Sequence, residues 1–199
     1  MRELLVATSN PGKFNEIVEC LEGLPFKYVS LKDLGLDSSG VVESGSTFAS
    51  NAFIKAKHFY DKTGLLTIGE DSGILVDALE GELGVKTRRW GAGENASDEE
   101  WIAHFMEVLK DVPQDQRGAK FVCSSCILGA ELEEYFEGET KGIITEELMA
   151  PLVPGIPISS CFVAEGAKEV YSNMSLEEKR QVSHRGRAMK QLREFLSKV

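Results

Sequence analysis

The sequence predicts a mixed α/β fold, and three observations carry that prediction. Apolar runs of strand length alternate with segments whose apolar residues recur at helical spacing. Two long strand-like runs, 119–128 and 133–144, flank a short acidic turn around Glu131, the mark of an antiparallel hairpin rather than a purely parallel sheet. Side-chain capping signals stand at several of the helix starts.

In chain order, the first strand is predicted at 2–7, around Leu4-Leu5-Val6-Ala7. It gives way through Thr8-Ser9-Asn10-Pro11-Gly12-Lys13 to a helix over 11–22, in which Phe14, Ile17, Val18 and Leu21 share one face. A strand at 26–30 follows. Thr47 caps a helix over 47–62. Strand-like runs at 65–69 and 74–78 lie on either side of Glu70-Asp71-Ser72-Gly73. Ser97 and Glu100 form a capping box for a helix over 98–110, and Ser175 with Glu178 another for helical segments over 175–198. Each such cap contributes about 1 kcal/mol. A last strand is predicted at 160–164. The Gly- and Pro-bearing loops at 31–46, 80–97 and 145–159 are where functional groups or lobe edges are expected.

A chain of 199 residues with 42% hydrophobic content can bury one substantial core, so residues 1–199 are read as a single domain. No apolar stretch approaches the roughly 20 residues that span a bilayer, and no signal-peptide pattern opens the chain, so no membrane partner and a cytoplasmic location are expected. The formal charge of −10 argues against a partner such as a nucleic-acid polymer, whose binding rests on many cations. It leaves room for a small phosphorylated ligand, held by a few clustered cations, and for a divalent ion. Cys20, Cys123, Cys126 and Cys161 sit among apolar neighbours, as reduced core thiols do, and the CxxC at 123–126 has no second ligand pair at zinc spacing.

Three clusters carry chemistry. The turn Thr8 to Lys13 joins a strand to a helix N-terminus, where free N–H groups and the helix dipole favour anions. Ser9 or Asn10 can cap, Pro11 suits the first helical position, Gly12 allows close approach and Lys13 adds a mobile charge. The same residues also read as a capped helix after an edge strand. In the second cluster, Phe48, Asn51, Ala52 and Lys55 share an inward helical face, so Lys55 needs an anion, whereas Lys57 can point to water. Asp71 or a bound phosphate would serve. Glu70 and Asp71 stand in an apolar run that a solvated turn or a charge partner must explain. With Glu43 they can form one metal site, because Mg²⁺ takes one or two protein carboxylates and completes its shell with water and phosphate oxygens. The third cluster is Lys179 with Ser183-His184-Arg185-Gly186, suited to phosphate or a purine carbonyl, or else surface cations of an amphipathic helix. A Ser183–His184 nucleophile pair is disfavoured, since adjacent residues seldom reach each other and no GxSxG elbow is present. His58 and His104 lack ligand spacing.

Together these segments resemble the inosine triphosphate pyrophosphatase family, which hydrolyses deaminated purine nucleoside triphosphates to the monophosphate and pyrophosphate. Ala7-Thr8-Ser9-Asn10-Pro11-Gly12-Lys13 resembles the family's T-[GS]-N-x-x-K turn, and Thr47-Phe48 through Asn51-Ala52 and Lys55-Ala56 its T-F-x-x-N-A-x-x-K-A helix. Glu70-Asp71-Ser72-Gly73-Ile74 resembles its D/E-D-S-G-L element, and Ser183-His184-Arg185 its S-H-R signature. The resemblance covers almost the whole chain. It implies an elongated, twisted mixed sheet with flanking helices, two lobes around a central cleft, a homodimer and dependence on Mg²⁺. It further implies that Thr8, Ser9, Asn10, Pro11, Gly12, Lys13, Ser72, Lys179, His184 and Arg185 bind substrate, that Glu43 and Asp71 face the metal, and that Asp71 is the general base. Asn51 is placed with the substrate-binding residues, Glu70 with the metal ligands, and Lys13 and Lys55 with the groups that stabilise charge on the phosphates.

The chain departs from the family between Thr145 and Glu165. There the family has a glycine-rich stretch ending in F-G-Y-D-P-I-F, whereas this chain reads Met149-Ala150-Pro151-Leu152-Val153-Pro154-Gly155-Ile156-Pro157-Ile158-Ser159-Ser160. The aromatic and the aspartate that shape the base pocket are absent in register, although Gly155 and a nearby proline remain. Lys86-Thr87-Arg88-Arg89-Trp90 partly resembles the family's S-A-R-Y, so Arg89 or Trp90 either compensates or packs at the surface. The expected activity is a Mg²⁺-dependent pyrophosphatase for ITP, dITP and XTP. The alternatives are a pyrophosphatase for a different modified or ordinary nucleotide, and a nucleotide-binding protein without catalysis.

Overall fold

The computed structural model describes residues 1–93 and 95–198, so position 94 of the 80–97 loop and position 199 lie outside the described residues. Its strands are β1 (Arg2–Val6), β2 (Phe26–Ser30), β3 (Leu66–Val76), β4 (Gly118–Gly129), β5 (Leu132–Ile144) and β6 (Phe162–Ala164). Its α-helices are α1 (Pro11–Leu21), α2 (Phe48–Thr63), α3 (Asp98–Leu109), α4 (Leu176–Val182) and α5 (His184–Leu196). The strands form one mixed sheet in the order β2-β1-β3-β4-β5-β6, with β2 and β3 parallel to β1 and the remaining pairs antiparallel. The mixed α/β prediction therefore holds, and the β4–β5 hairpin turns where the acidic residue Glu131 stands.

One expectation is corrected and another is made definite. The runs at 65–69 and 74–78 are one continuous strand, because β4 pairs with β3 throughout and Glu70, Asp71 and Ser72 lie opposite Ser125, Ser124 and Cys123. Cross-strand hydrogen bonds outweigh the local turn propensity of Asp-Ser-Gly. The segment 175–198 is two helices, because Ser183 has an extended backbone (φ −78°, ψ 155°), ends α4, and caps α5 by accepting from Gly186 N–H at 3.0 Å.

Helices cover both faces of the sheet. A Cβ on Gly69 would lie 2.0 Å from Ala52 O, so α2 rides directly on β3, and Gly64 at φ 66° ends that helix in the left-handed conformation. On the other face a Cβ on Gly138 would lie 2.1 Å from His184 O, so α5 packs as closely on β5. Leu4, Val6, Ile17, Ile68, Ile127, Met189 and Leu192 form a core between β1, β3, α1 and α5. A second core joins Ile74, Trp101, Phe105, Ile144, Ile158 and Phe162 between the far ends of the strands and α3. No helix among the described residues is long and apolar enough to cross a membrane.

The strand lengths create the site. β1 pairs with β3 only from Leu4–Leu66 to Val6–Ile68, and Ala7 N–H donates to Ile68 O at 2.8 Å before the chain turns into α1. β3 runs eight residues further, to Val76, with no strand on that flank among the described residues. Its carboxylates therefore border an opening instead of a neighbouring strand.

Candidate functional site

A cleft of about 500 Å³ opens at this sheet edge, within the range typical of small-molecule sites. Thr8, Ser9, Asn10, Pro11, Lys13, Glu43, Lys55, Glu70, Asp71, Ser72, His184 and Arg185 all line it, so residues distant in sequence converge as expected. Gly12, Asn51 and Lys179 stand behind the wall. A Cβ on Gly12 would meet Pro154 O at 3.1 Å, Asn51 is fully buried, and Lys179 is buried against Glu16.

Asn10 fixes the 8–13 turn. Its Oδ1 accepts from Lys13 N–H at 3.1 Å as the cap of α1, while its Nδ2 donates to Gly155 O at 2.7 Å. Gly155 N–H in turn donates to Asp98 Oδ2 at 2.6 Å. The cap thus ties the 149–160 segment to both α1 and α3. Within that segment Pro157–Ser160 is a buried 3₁₀ turn, and Ser160 Oγ donates to Pro151 O at 2.9 Å.

Because Glu70 and Asp71 are neighbours on a strand, they leave it on opposite faces. Asp71 lies on the α2 face, where Asn51 Nδ2 donates to Oδ2 at 3.1 Å and Lys55 Nζ donates to Oδ1 at 3.0 Å. Lys55 also meets Glu43 Oε1 at 3.2 Å, so one ammonium bridges two carboxylates. Burial is the main cause that raises the Asp71 pKa, with smaller help from Glu70 and Glu43 and against the opposing effect of Lys55 and Lys13. Burial alone would depress Lys55, but Asp71 and Glu43 reverse this and raise it. Lys57, as predicted, points outward to Asp61.

Glu70 lies on the α5 face. Its Oε1 accepts from Arg185 Nη2 at 3.1 Å, and its Oε2 is 2.9 Å from Lys13 Nζ. That second contact is close in charge but outside hydrogen-bond geometry, which leaves Oε2 without a bonded donor. Burial opposes ionisation of Glu70, yet Lys13 and Arg185 win and hold its carboxyl well below the ordinary range. Glu70 therefore does not join Glu43 and Asp71 around Lys55. Among the described residues no three His, Cys, Asp or Glu side chains are grouped to hold an ion.

Sequence reasoning missed Glu16, which organises the third cluster. It is buried on α1, accepts from Lys179 Nζ at 3.1 Å and pairs with Arg185 Nη1. Arg185 Nη2 also donates to Ser72 Oγ at 2.9 Å. Four cations (Lys13, Lys55, Lys179, Arg185) thus face four acids (Glu16, Glu43, Glu70, Asp71). No local signal marks Glu16, since its partners lie more than 160 residues away in the chain. Burial and adjacent Arg185 push the His184 pKa well below the ordinary value, which favours the neutral ring. Its ring stacks on Phe121 at 4.6 Å and 11°.

Trp101, Phe121 and Tyr171 also line the cleft and were not foreseen. They belong to the wall that includes Ile156, Pro157 and Ile158 of the altered segment. Arg88 and Arg89 line the cleft as exposed cations. Trp90 instead packs edge-on to Trp101 and donates to Glu82 Oε2 at 3.0 Å. Cys123 and Cys126, three apart on β4, leave opposite faces, and burial pushes the Cys126 thiol up to about 12 and the Cys123 thiol well above its ordinary value. Both are free, buried thiols, and Cys123 Sγ donates to Glu70 Oε1 at 3.3 Å.

The arrangement can hold a polyanion beside a buried carboxylate that accepts protons, with a flat aromatic wall alongside. Comparison with known proteins agrees with that chemistry. The Ham1 family model matches residues 4–195. A dITP/XTP pyrophosphatase of Geobacter sulfurreducens is 39% identical over 197 residues, covering 98% of this chain and 97% of that protein. One of Caldanaerobacter subterraneus is 36% identical and covers 100% and 98%. The structure of a HAM1 protein from Coxiella burnetii superposes with a TM-score of 0.82 at 30% identity over the full length of both chains. That of a dITP/XTP pyrophosphatase from Mycobacterium abscessus gives 0.67 at 36% identity, over 96% and 98%. With its sequence matched nearly end to end by the family model and by curated relatives, this chain belongs to the Ham1 family.

Proposed function

We propose that this hydrolase cleaves deaminated purine nucleoside triphosphates, ITP, dITP and XTP, to the monophosphate and pyrophosphate, with Mg²⁺ as cofactor. Asp71 carries the reading: a buried carboxylate held by Asn51 and Lys55 in the same cleft as a cationic helix N-terminus. The activity named for the relatives supports the substrate class.

In this reading the triphosphate lies against the 8–13 turn, where the α1 N-terminus, Lys13 and Lys55 offset the phosphate charge. Asp71 accepts a proton from the water that attacks the α-phosphorus. The new oxygen–phosphorus bond forms as the bond to the β-phosphate bridging oxygen breaks, and the lysines neutralise the departing pyrophosphate. Neutral His184 and Arg185 lie toward the base. Glu43 and Asp71 fit a divalent ion, since both are carboxylates already flanking one cation and Mg²⁺ needs one or two such ligands. When bound, the ion supplies Lewis-acid stabilisation of phosphoryl oxygens. Glu70 is read as the holder of Lys13 and Arg185. The same reading takes residues 1–199 as one bilobed domain that pairs as a homodimer.

Pyrophosphate release from ITP, XTP, dITP, ATP, GTP, CTP, UTP and dUTP, with Mg²⁺ or EDTA, tests the proposal on wild type and Asp71→Asn. Release is expected with ITP and XTP, lost with EDTA and reduced about 10²- to 10⁴-fold in the variant. Preference for an ordinary nucleotide would favour the second reading, to which the apolar 149–160 wall lends weight. Tight binding without turnover would overturn both.

A further inference from the structure

The indole of Trp101 is 2% exposed, and its Nε1–H has no acceptor among the described residues. A buried donor left unmet costs free energy, so such atoms are uncommon without a purpose. Trp101 also lines the cleft, on the helix whose first residue, Asp98, holds Gly155. Its ring is fixed by stacking on Phe105 at 5.2 Å and 18°. Four further buried polar atoms of the cleft lining lack partners: Glu70 Oε2 and Arg185 Nε, whose side chains are engaged through their other atoms, and His184 Nδ1 and the Tyr171 hydroxyl, which stands near Thr140 without meeting hydrogen-bond geometry. The 149–160 segment adds apolar side chains and no carboxylate.

We infer that Trp101 is a specificity-determining residue whose Nε1–H donates a hydrogen bond to a carbonyl oxygen of the substrate base. The inference rests on the purine reading above. An indole can only donate. Deamination replaces an exocyclic amino group, a donor, by a keto oxygen, an acceptor. A fixed donor therefore favours the keto base and meets the amino base with a donor–donor clash. Sites that hydrogen-bond their substrate discriminate more sharply than apolar ones, so Trp101 supplies polarity that the altered segment does not.

The test compares wild type with Trp101→Phe, which keeps an aromatic ring against Phe105 and removes the donor together with part of the ring volume. With Mg²⁺ present, kcat/KM for ITP and XTP is expected to fall about ten-fold, the scale of one hydrogen bond, while kcat/KM for ATP stays level. Equal changes for all three, or none, would overturn the inference. In parallel, the indole ¹⁵N–¹H resonance absent from the variant is followed in wild type with IMP and with AMP. A downfield shift with IMP alone is expected, and an unmoved resonance with IMP overturns the assignment even if the variant fails to fold. Wild-type preference for ATP would count against the function proposed above, and the IMP–AMP contrast would still decide the role of Trp101.

Discussion

Replacing Glu16 by glutamine removes the one carboxylate that two buried cations share. The Glu16 side chain is 10% exposed, Lys179 7% and Arg185 3%, so solvent screens none of them well. Breaking a buried ion pair by removing one partner costs about 3–5 kcal/mol, because the other charge stays desolvated. Here Glu70 still pairs with Arg185, which places the expected loss at the lower end, about 3 kcal/mol. For a chain of this size that is a fall in Tm of about 6–12 °C. The effect depends on pH with a definite sign. Burial would raise the Glu16 pKa, but Arg185 and Lys179 together hold it below the ordinary 4.5. A depressed folded-state pKa gives stability that is complete above the unfolded value and disappears as pH falls through the folded one. Thermal melts of wild type and Glu16→Gln should therefore differ by the full amount at pH 7 and converge as pH falls below the ordinary carboxylate value and through the depressed folded one. A variant within 1 °C of wild type at pH 7, or a gap that persists unchanged at acid pH, would refute the account of this cluster.

Three other outcomes follow from the same geometry. Gly69→Ala would put a Cβ 2.0 Å from Ala52 O and 2.7 Å from Ala56 N, both backbone atoms of α2. Separation of helix and strand should cost about 3 kcal/mol or more, read as a lowered urea midpoint. Ser183→Ala removes the cap of α5, so a loss of about 1 kcal/mol is expected in the same assay. Pyrophosphatase turnover should survive that change with a raised KM, and complete loss would reinstate Ser183 as a nucleophile. The buried thiols should stay unreactive toward a disulfide reagent in the native protein and react only on unfolding.

Much of this architecture was legible in the sequence where the interactions are local. Thr47, Ser97 and Ser175 cap the helices that their side chains announce, and each forms a capping box. The helical face shared by Asn51 and Lys55 points inward to Asp71 as the spacing required. What escaped depends on distant packing. Glu70 and Asp71 read as a group of acids in sequence, but strand alternation sends them to opposite faces and to different cations. Glu16 meets Lys179 and Arg185 across more than 160 residues, and no local pattern marks a surface-type residue as buried. Trp101 looks like a helix-core aromatic, and only its unmet N–H beside the cleft sets it apart.

The central claim is that water attacks the α-phosphorus of a deaminated purine triphosphate, with Asp71 taking its proton. Hydrolysis of ITP in H₂¹⁸O, followed by ³¹P NMR of both products, tests it most directly. The account predicts one ¹⁸O in inosine monophosphate and none in pyrophosphate. Label in pyrophosphate, or release of inorganic phosphate from the γ-position, would contradict it.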